Sequence, residues 1–518
     1  MLLTGTFAAY LTHTPATHAL DAAEARGKQI YVEGSSAGEG EINAIVGDEG
    51  VTLPGSALPC VNCHGYDGIG RPEGGVLPPD IRWSQLVKTY DHVHENGRRH
   101  PAFDEASLAL LLRSGVDPAD NLIDRVMPLY QMSGEDMADL IAYMKYLEGD
   151  VDPGVDEDRI QVGSLLPLGG RAAALGQAMA QVMHAHFADV NEQGGVFGRR
   201  IELLTVPFGA SAEESLDNLR MAYASEGIFA LVGAYTVGLD EQILEMTRED
   251  NVPLVGPFTL DPGDSLFDAA AFYLYPGFDE QVRVLSDRAL ADGADAPHVL
   301  VVGPDEPRAD RLVGNVRDQL RQQGKAEPAI VRYPSGEFDA SQVADKARQG
   351  DSEALIFLGG QDELERMLDE LSGNTRPPRV YLLSSFLRRP LFDVSTVFDR
   401  QIFIAYPTFT SDITAEGRAD YQSLSERHAL PREHVQAQIA AFAAAKLLVE
   451  GLRRAGRDLS RERLVEGLEA LYTFQTGLTP PLTYGPNRRI GARGAHVLAV
   501  DLVNKTYTPV GNSWHEVR

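Results

Sequence analysis

The segment Cys60-Val61-Asn62-Cys63-His64 restricts this chain more than any other. Two thiols separated by two residues, with a histidine directly after, form the attachment signal for c-type haem. The two sulfurs reach the two vinyl groups on one porphyrin edge, and the neighbouring imidazole swings under the ring to ligate iron. A thioredoxin-like pair opens a helix after a strand and needs no histidine. A four-ligand zinc site needs two more thiolates or histidines nearby. The flanking Pro59 and the run Gly65-Tyr66-Asp67-Gly68-Ile69-Gly70 favour a loop around a cofactor. Cys60 and Cys63 are therefore read as the covalent sites of one haem c, with His64 as an axial iron ligand. The chain has only these two cysteines, so a haem that takes both leaves no disulfide.

The second axial ligand must come from another segment, and Met127 is the expected one. It lies in Arg125-Val126-Met127-Pro128, before Ser133-Gly134-Glu135-Asp136, which reads as a helix start with acids in its first turn. A residue before proline is held extended, which projects its side chain away from the chain. A thioether ligand raises the reduction potential relative to two imidazoles, which suits electron acceptance. Met132 is the rival, followed by His92, His94 and His100. A methionine near a helix is otherwise core filler.

Three segments follow the N-terminus. Leu2 to Leu11 is short and mostly apolar, and Thr17-His18-Ala19 resembles a cleavage site, but no Lys or Arg precedes Arg26. Residues 1–20 are read as a secretory signal remnant that lacks its basic start. Residues 21–149 hold helical patterns around the haem motif. Residues 150–158 are acidic with Pro153 and Gly154 and read as a linker. From 159 to 518, β-rich runs alternate with helical patterns. Strands are expected at 160–166, 201–206, 228–233, 252–256, 299–303, 354–358, 380–383 and 402–406, which implies parallel sheets covered by helices. No later stretch is expected to cross a membrane.

Residues 21–149 resemble a class I cytochrome c. Ala25-Arg26-Gly27-Lys28-Gln29-Ile30-Tyr31 is similar to that family's first helix, and Leu140 to Leu147 to its last. The resemblance implies that these helices cross closely, with Gly27 letting the backbones approach and Tyr143 filling the crossing. It implies that Gly70 to Pro79 wraps the His64 side, where a backbone carbonyl fixes the ring. The insertion between Tyr31 and Cys60 has no assigned role.

Residues 159–518 resemble periplasmic binding proteins of fold type I, the branched-chain amino acid type among substrate-binding proteins of ABC transporters. The most specific stretch is Asn191-Glu192-Gln193-Gly194-Gly195-Val196-Phe197-Gly198-Arg199-Arg200-Ile201, where glycines suit positive φ at a helix end. The fold class expected is thus multidomain: an all-α cytochrome c domain, then a two-lobed α/β domain. Lobe 1 is placed at about 159–278 and 407–478, and lobe 2 at about 279–406 and 479–518. The resemblance implies a ligand cleft at the carboxyl ends of strands. Candidate contacts are Ser164, Leu168, Gly169, Tyr235, Thr236, Phe258 and Thr259 from lobe 1, with Asp305, Ser384 and Tyr406 beyond it. Hydroxyls and free amides at helix starts would hold an anion, and Tyr235, Phe258 and Tyr406 would give apolar walls. The run Thr205-Val206-Pro207-Phe208-Gly209 lacks the acid common in amino-acid binders, which puts an amino-acid ligand in doubt.

The formal net charge is −29, which disfavours binding to a nucleic-acid backbone. No spacing supports a catalytic arrangement; Glu213-Glu214 and Asp362-Glu363 read as solvated helix ends. A peroxidase would need an open sixth iron position, hence a wrong assignment of Met127. The expected function is a periplasmic electron carrier fused to a small-molecule binding module. Its electrons would come from a periplasmic dehydrogenase, of which quinoprotein alcohol dehydrogenases are one type. The alternative is a solute receptor delivering an amino acid or small organic acid or alcohol to ABC importer membrane subunits, with an accessory or sensory haem.

Overall fold

The computed structural model describes residues 20–517 apart from 39, 71, 73, 74, 91, 95, 96, 263–269, 294–297 and 375. The expected leader, except Leu20, lies outside the described residues. The chain divides after Val151 into two compact units. Residues 152–158, expected in the linker, belong with the second unit. Val155 is buried in its core, and the Asp152 carboxylate accepts from the Arg461 backbone N–H at 2.6 Å. A charged, Pro- and Gly-containing stretch reads as a linker from composition alone, yet here Asp152 and Asp156 have fixed partners, Arg461 and Arg159.

The first unit contains α1 (Ala22–Glu33), β1 (Asn43–Val46), β2 (Val51–Pro54), α2 (Val61–His64) and α3 (Trp83–Leu86). It continues with β3 (His92–Val93), β4 (Arg99–His100), α4 (Glu105–Ser114), β5 (Leu129–Gln131) and α5 (Gly134–Tyr146). Asp21 caps α1 through a capping box with Glu24, and Gly34 ends it in a left-handed conformation. Ser133 caps α5, with Glu135 and Asp136 in its first turn. Both helices bury one face, α1 through Gly27, Ile30 and Tyr31 and α5 through Met137, Leu140, Ile141, Tyr143 and Met144.

The all-α expectation for this unit is corrected in one respect. The unassigned insertion forms β1 and β2, which pair antiparallel with each other, and β1 also pairs antiparallel with β5. Ala44 and Tyr130, opposite one another, are both buried, so this small sheet closes the core beside the Met127 loop.

The second unit carries two sheets. The first is parallel throughout, in the order β10-β9-β8-β6-β7. Its strands are β6 (Arg159–Leu166), β7 (Arg200–Pro207), β8 (Ala230–Val232), β9 (Leu254–Val255) and β10 (Ala271–Phe272). Helices α6 (Ala173–Glu192), α7 (Ala212–Glu226) and α8 (Asp240–Glu249) connect them, and α9 (Phe278–Ala291) follows. The second sheet contains β11 (Val299–Pro304), β12 (Ala329–Tyr333), β13 (Ala354–Phe357), β14 (Arg379–Leu383) and β15 (Ile402–Tyr406). Between these strands run α10 (Pro307–Gln322), α11 (Ala340–Gln349) and α12 (Gln361–Leu371). After α13 (Ala415–Arg427), α14 (Val435–Ala455) and α15 (Arg461–Glu469), the chain returns to this sheet as β16 (Gly494–Asp501) and β17 (Thr506–Glu516). The order is β12-β11-β13-β14-β15-β16-β17, with the last two strands antiparallel.

The glycine-rich turn after α6 behaves as its composition requires. Gly194, Gly195 and Gly198 all have positive φ, and a Cβ on Gly195 would meet the Arg199 carbonyl oxygen at 2.0 Å.

Two sequence readings are corrected in this unit. Residues 479–493, assigned to lobe 2, pack into lobe 1: Leu482, Tyr484 and Ala492 join its main core, and Ile490 joins the core on the other sheet face. The Leu482 and Phe474 backbones bond reciprocally, which folds this segment back before β16 begins. The sequence reading also overlooked α14, whose 21 residues and mean hydropathy of 1.3 are long and apolar enough to cross a membrane. Within the fold α14 is a core helix. Ala443, Ala444, Ala445, Leu447 and Leu448 are fully buried against the first sheet and α6.

Candidate haem site and ligand cleft

Cys60 begins the short helix α2, and the His64 N–H donates to its carbonyl at 2.9 Å. One helical turn thereby brings both sulfur-bearing residues and the imidazole onto a single segment. His64 is buried, and its Nδ1 lies 3.2 Å from the Pro79 carbonyl oxygen. A carbonyl can only accept, so Nδ1 carries the proton and Nε2 keeps its lone pair for a metal. Burial also lowers the His64 pKa, which holds the ring in the neutral, ligating form. The expected carbonyl from the 70–79 segment is thus that of Pro79. Gly70 makes the turn, with φ 90° and its N–H bonded to the His64 carbonyl; a Cβ there would meet the Pro78 oxygen at 2.3 Å.

The competing chemistries fit these residues less well. Burial pushes the Cys60 thiol up to about 12, whereas an attacking redox thiol needs a depressed pKa. Cys60 and Cys63 are not joined by a disulfide. Among the described residues no group of three or more His, Cys, Asp or Glu is placed to hold a metal ion, which disfavours a zinc site. Two thiols and a ring nitrogen with a fixed tautomer suit a covalently held haem.

Met127 and Met132 flank β5, and both pack partly buried against the core of the first unit. Pro128 beside Met127 is buried, and the Met127 N–H bonds to the Asp124 carbonyl. The rival histidines have partners of their own. His94 Nε2 lies 2.8 Å from His100 Nε2, His100 Nδ1 is 2.8 Å from the Pro101 oxygen, and His92 Nε2 is 3.3 Å from the Lys88 oxygen.

In the second unit the candidate cleft residues divide. Phe208, Tyr235 and Phe258 follow β7, β8 and β9 at one edge of the first sheet. Tyr235 packs edge-on to Phe208 at 5.6 Å and stacks on Phe258 at 6.0 Å. Leu168 packs on the lobe core from the loop after β6, while Gly169 is exposed. Ser164 lies inside β6, fully buried, and its hydroxyl has no partner. Thr236 donates to Asp240 at 2.6 Å, and Thr259 also hydrogen-bonds that carboxylate. Burial raises the Asp240 pKa against these bonds.

On the second sheet a cavity of about 300 Å³ lies at the ends of β11 and β13, lined by Pro304, Glu306, Arg308, Ser335, Gly360, Glu363 and Phe386 among others. Asp305 is exposed, and Ser384 begins the turn that carries Phe386. The Tyr406 ring packs on Phe409 and Tyr507, and its hydroxyl bonds to Tyr507, so it serves the lobe core. Asp240, Glu306, Arg308 and Glu363 were not singled out as ligand contacts from sequence. Asp240 reads locally as one more acid in a helix's first turn, and Thr259 reaches it from a different strand.

Taken together, the fold and its sites define a two-lobed α/β binding protein preceded by a unit built for covalent haem. Residues 159–504 match the family model described as periplasmic binding protein, and the chain belongs to that family. Residues 49–148 match the cytochrome c model, a family whose haem is covalently bound. Both families are non-enzymatic and typically periplasmic or extracellular. A Leu/Ile/Val-binding protein homolog 2 of Brucella abortus is 22% identical over 203 residues, 39% of this chain and 54% of that protein. The chain spans about half the length of the curated relatives it matches. A putative branched-chain amino acid ABC transporter protein from Rhodospirillum rubrum superposes with a TM-score of 0.56 at 18% identity, covering 68% of this chain and all of that one. A branched-chain amino acid ABC transporter protein from Thermus thermophilus with bound valine gives 0.51 at 16% identity, covering 69% and 97%. These likenesses establish the fold.

Proposed function

We propose that the chain is a periplasmic electron carrier whose cytochrome unit is tied to a small-molecule receptor. The observation that supports it most directly is the His64 ring, buried beside Cys60 and Cys63 with Nδ1 tied to the Pro79 carbonyl. One haem c bound there supplies one-electron redox chemistry at a potential set by its axial ligands. In this reading Cys60 and Cys63 would hold it covalently, and His64 Nε2 and the Met127 sulfur would ligate its iron. The donor is a periplasmic dehydrogenase, with quinoprotein alcohol dehydrogenases as the type to try first. The test mixes such a reduced dehydrogenase with the full chain and follows the haem absorbance. Reduction above the uncatalysed background is expected, and its absence counts against the carrier role. Met127→Ala should open the iron and admit carbon monoxide; an unchanged spectrum would move the ligand to Met132 or a histidine.

A second reading is a receptor for an ABC importer with an accessory haem. It rests on the names of the structural relatives, two of which are branched-chain amino acid ABC transporter proteins. Tight binding of leucine or valine in calorimetry, together with docking to importer membrane subunits, would favour it over the carrier.

A further inference from the structure

We propose, resting on the receptor reading, that the cleft takes a small apolar amine and excludes α-amino acids and other carboxylates. Three aromatic rings, Phe208, Tyr235 and Phe258, form a continuous half-buried wall at the carboxyl edge of the first sheet. An aromatic wall suits an apolar body, and its ring faces attract a cation. Beside this wall stands Asp240, partly exposed, at the start of α8.

The hydroxyls that would hold a ligand carboxylate are engaged with that acid. Thr236 points its hydroxyl at Asp240 from 2.6 Å, and Thr259 bonds the same carboxylate. An incoming carboxylate would therefore meet the field of the Asp240 carboxylate in place of these two hydroxyl donors. An ammonium group reverses every sign: it donates to the remaining Asp240 lone pairs and lies against the rings.

The cavity on the second lobe adds to this polarity. Glu306 and Glu363 line it together with Arg308. Glu363 accepts from the Tyr333 hydroxyl at 2.6 Å, while Arg308 is paired with Asp261 at 2.7 Å and lies 5.5 Å over Phe278. Arg171, exposed in the turn before α6, is a cation beside the first-lobe edge. The two acids lining the second-lobe cavity thus outnumber its unpaired cations, and a low-dielectric cleft amplifies that imbalance.

Isothermal calorimetry on the haem-loaded full chain tests this with 2-phenylethylamine, 2-phenylethanol, phenylacetate, phenylalanine and leucine. The amine is expected to bind, and each carboxylate-bearing probe to bind at least about tenfold more weakly. Asp240→Asn should weaken the amine about tenfold and leave 2-phenylethanol unchanged. Should that variant unfold, Glu306→Gln, on the exposed rim of the second-lobe cavity, makes the same charge test. Leucine, phenylalanine or phenylacetate binding more tightly than the amine would overturn the charge assignment while leaving a working receptor. Equal binding of the amine and the alcohol would overturn it too. Binding by none of the five would overturn both this assignment and the receptor reading beneath it.

Discussion

A Cβ built on Gly27 would lie 2.0 Å from the carbonyl oxygen of Asp139 and 2.7 Å from the Cβ of Tyr143. The two long helices of the cytochrome unit therefore cross backbone to backbone, at a separation that only glycine permits. Helix propensity alone favours Ala over Gly by about 1 kcal/mol. The contact outweighs it, because overpacking a closed interface costs about 1–3 kcal/mol or more. Gly27→Ala should thus destabilise the first unit by about 2 kcal/mol, a sign opposite to the propensity scale. Denaturant unfolding followed at the haem absorbance checks this; a gain in stability would show that the helices can slide apart cheaply.

Arg461 anchors the start of the second unit from within. Its guanidinium is buried and donates to the carbonyls of Phe229, Ile228 and Asp250, while its backbone N–H holds the Asp152 carboxylate. Truncating it strands three carbonyls in the lobe core, and an unsatisfied buried group costs about 1–3 kcal/mol. Arg461→Met should therefore lower the stability of the second unit by about 3 kcal/mol or more. Lysine offers no fork to reach three carbonyls, so Arg461→Lys should recover less than half of that loss. A urea midpoint that moves by the same amount in both variants would match this picture only if the lysine found no carbonyl at all; a midpoint unmoved in either would refute it.

The β3–β4 hairpin predicts an acid response. Burial, with Arg98 and the neighbouring His100 and His92 adding to it, pushes the His94 pKa down to about 4; Asp117 opposes this, and burial lowers His100 as well. The unfolded chain then binds protons that the folded one refuses, so stability is complete above pH 6.5 and falls as the pH drops toward 4. His94→Asn should flatten part of that fall for the first unit. Urea midpoints between pH 7.5 and 4.5 give the slope, and an identical slope in the variant would assign the acid loss elsewhere.

Much of this architecture was legible in the sequence, and the failures have identifiable causes. Strands such as β11 and β13 are short apolar runs between helical patterns, and both were found within a residue or so of their ends. The missed β17 contains Pro509 and Gly511, which read as loop, and it pairs with β16 across an irregular register between His496 and Leu498. No local pattern announces that such an edge pair closes a parallel sheet in antiparallel fashion. The cytochrome c unit was legible because its Cys60-to-His64 motif is local in the sequence. The environment of Asp240 was not, because the two threonines around its carboxylate come from different strand ends and only the folded sheet brings them together. Likewise, Pro79 could be placed within a segment but not singled out as the partner of His64.

Tyr31 connects the helix crossing to the haem segment and gives the last prediction. It is fully buried, its ring lies 5.5 Å from that of Tyr143, and its hydroxyl donates to the Gly65 carbonyl at 2.7 Å. Gly65 follows His64 directly and turns the chain at φ 72°, so this bond fixes the backbone just beyond the proposed iron ligand. Tyr31→Phe keeps the packing and leaves the Gly65 carbonyl without its donor, a loss of about 1–2 kcal/mol. Tyr31→Leu should cost more, because it also opens a cavity against Tyr143. If the bond only stabilises the fold, the two variants differ in melting and share one haem spectrum. If it also positions His64, Tyr31→Phe should already broaden or shift the haem absorbance although the packing is kept, and a redox titration of that variant beside the parent decides between the two outcomes.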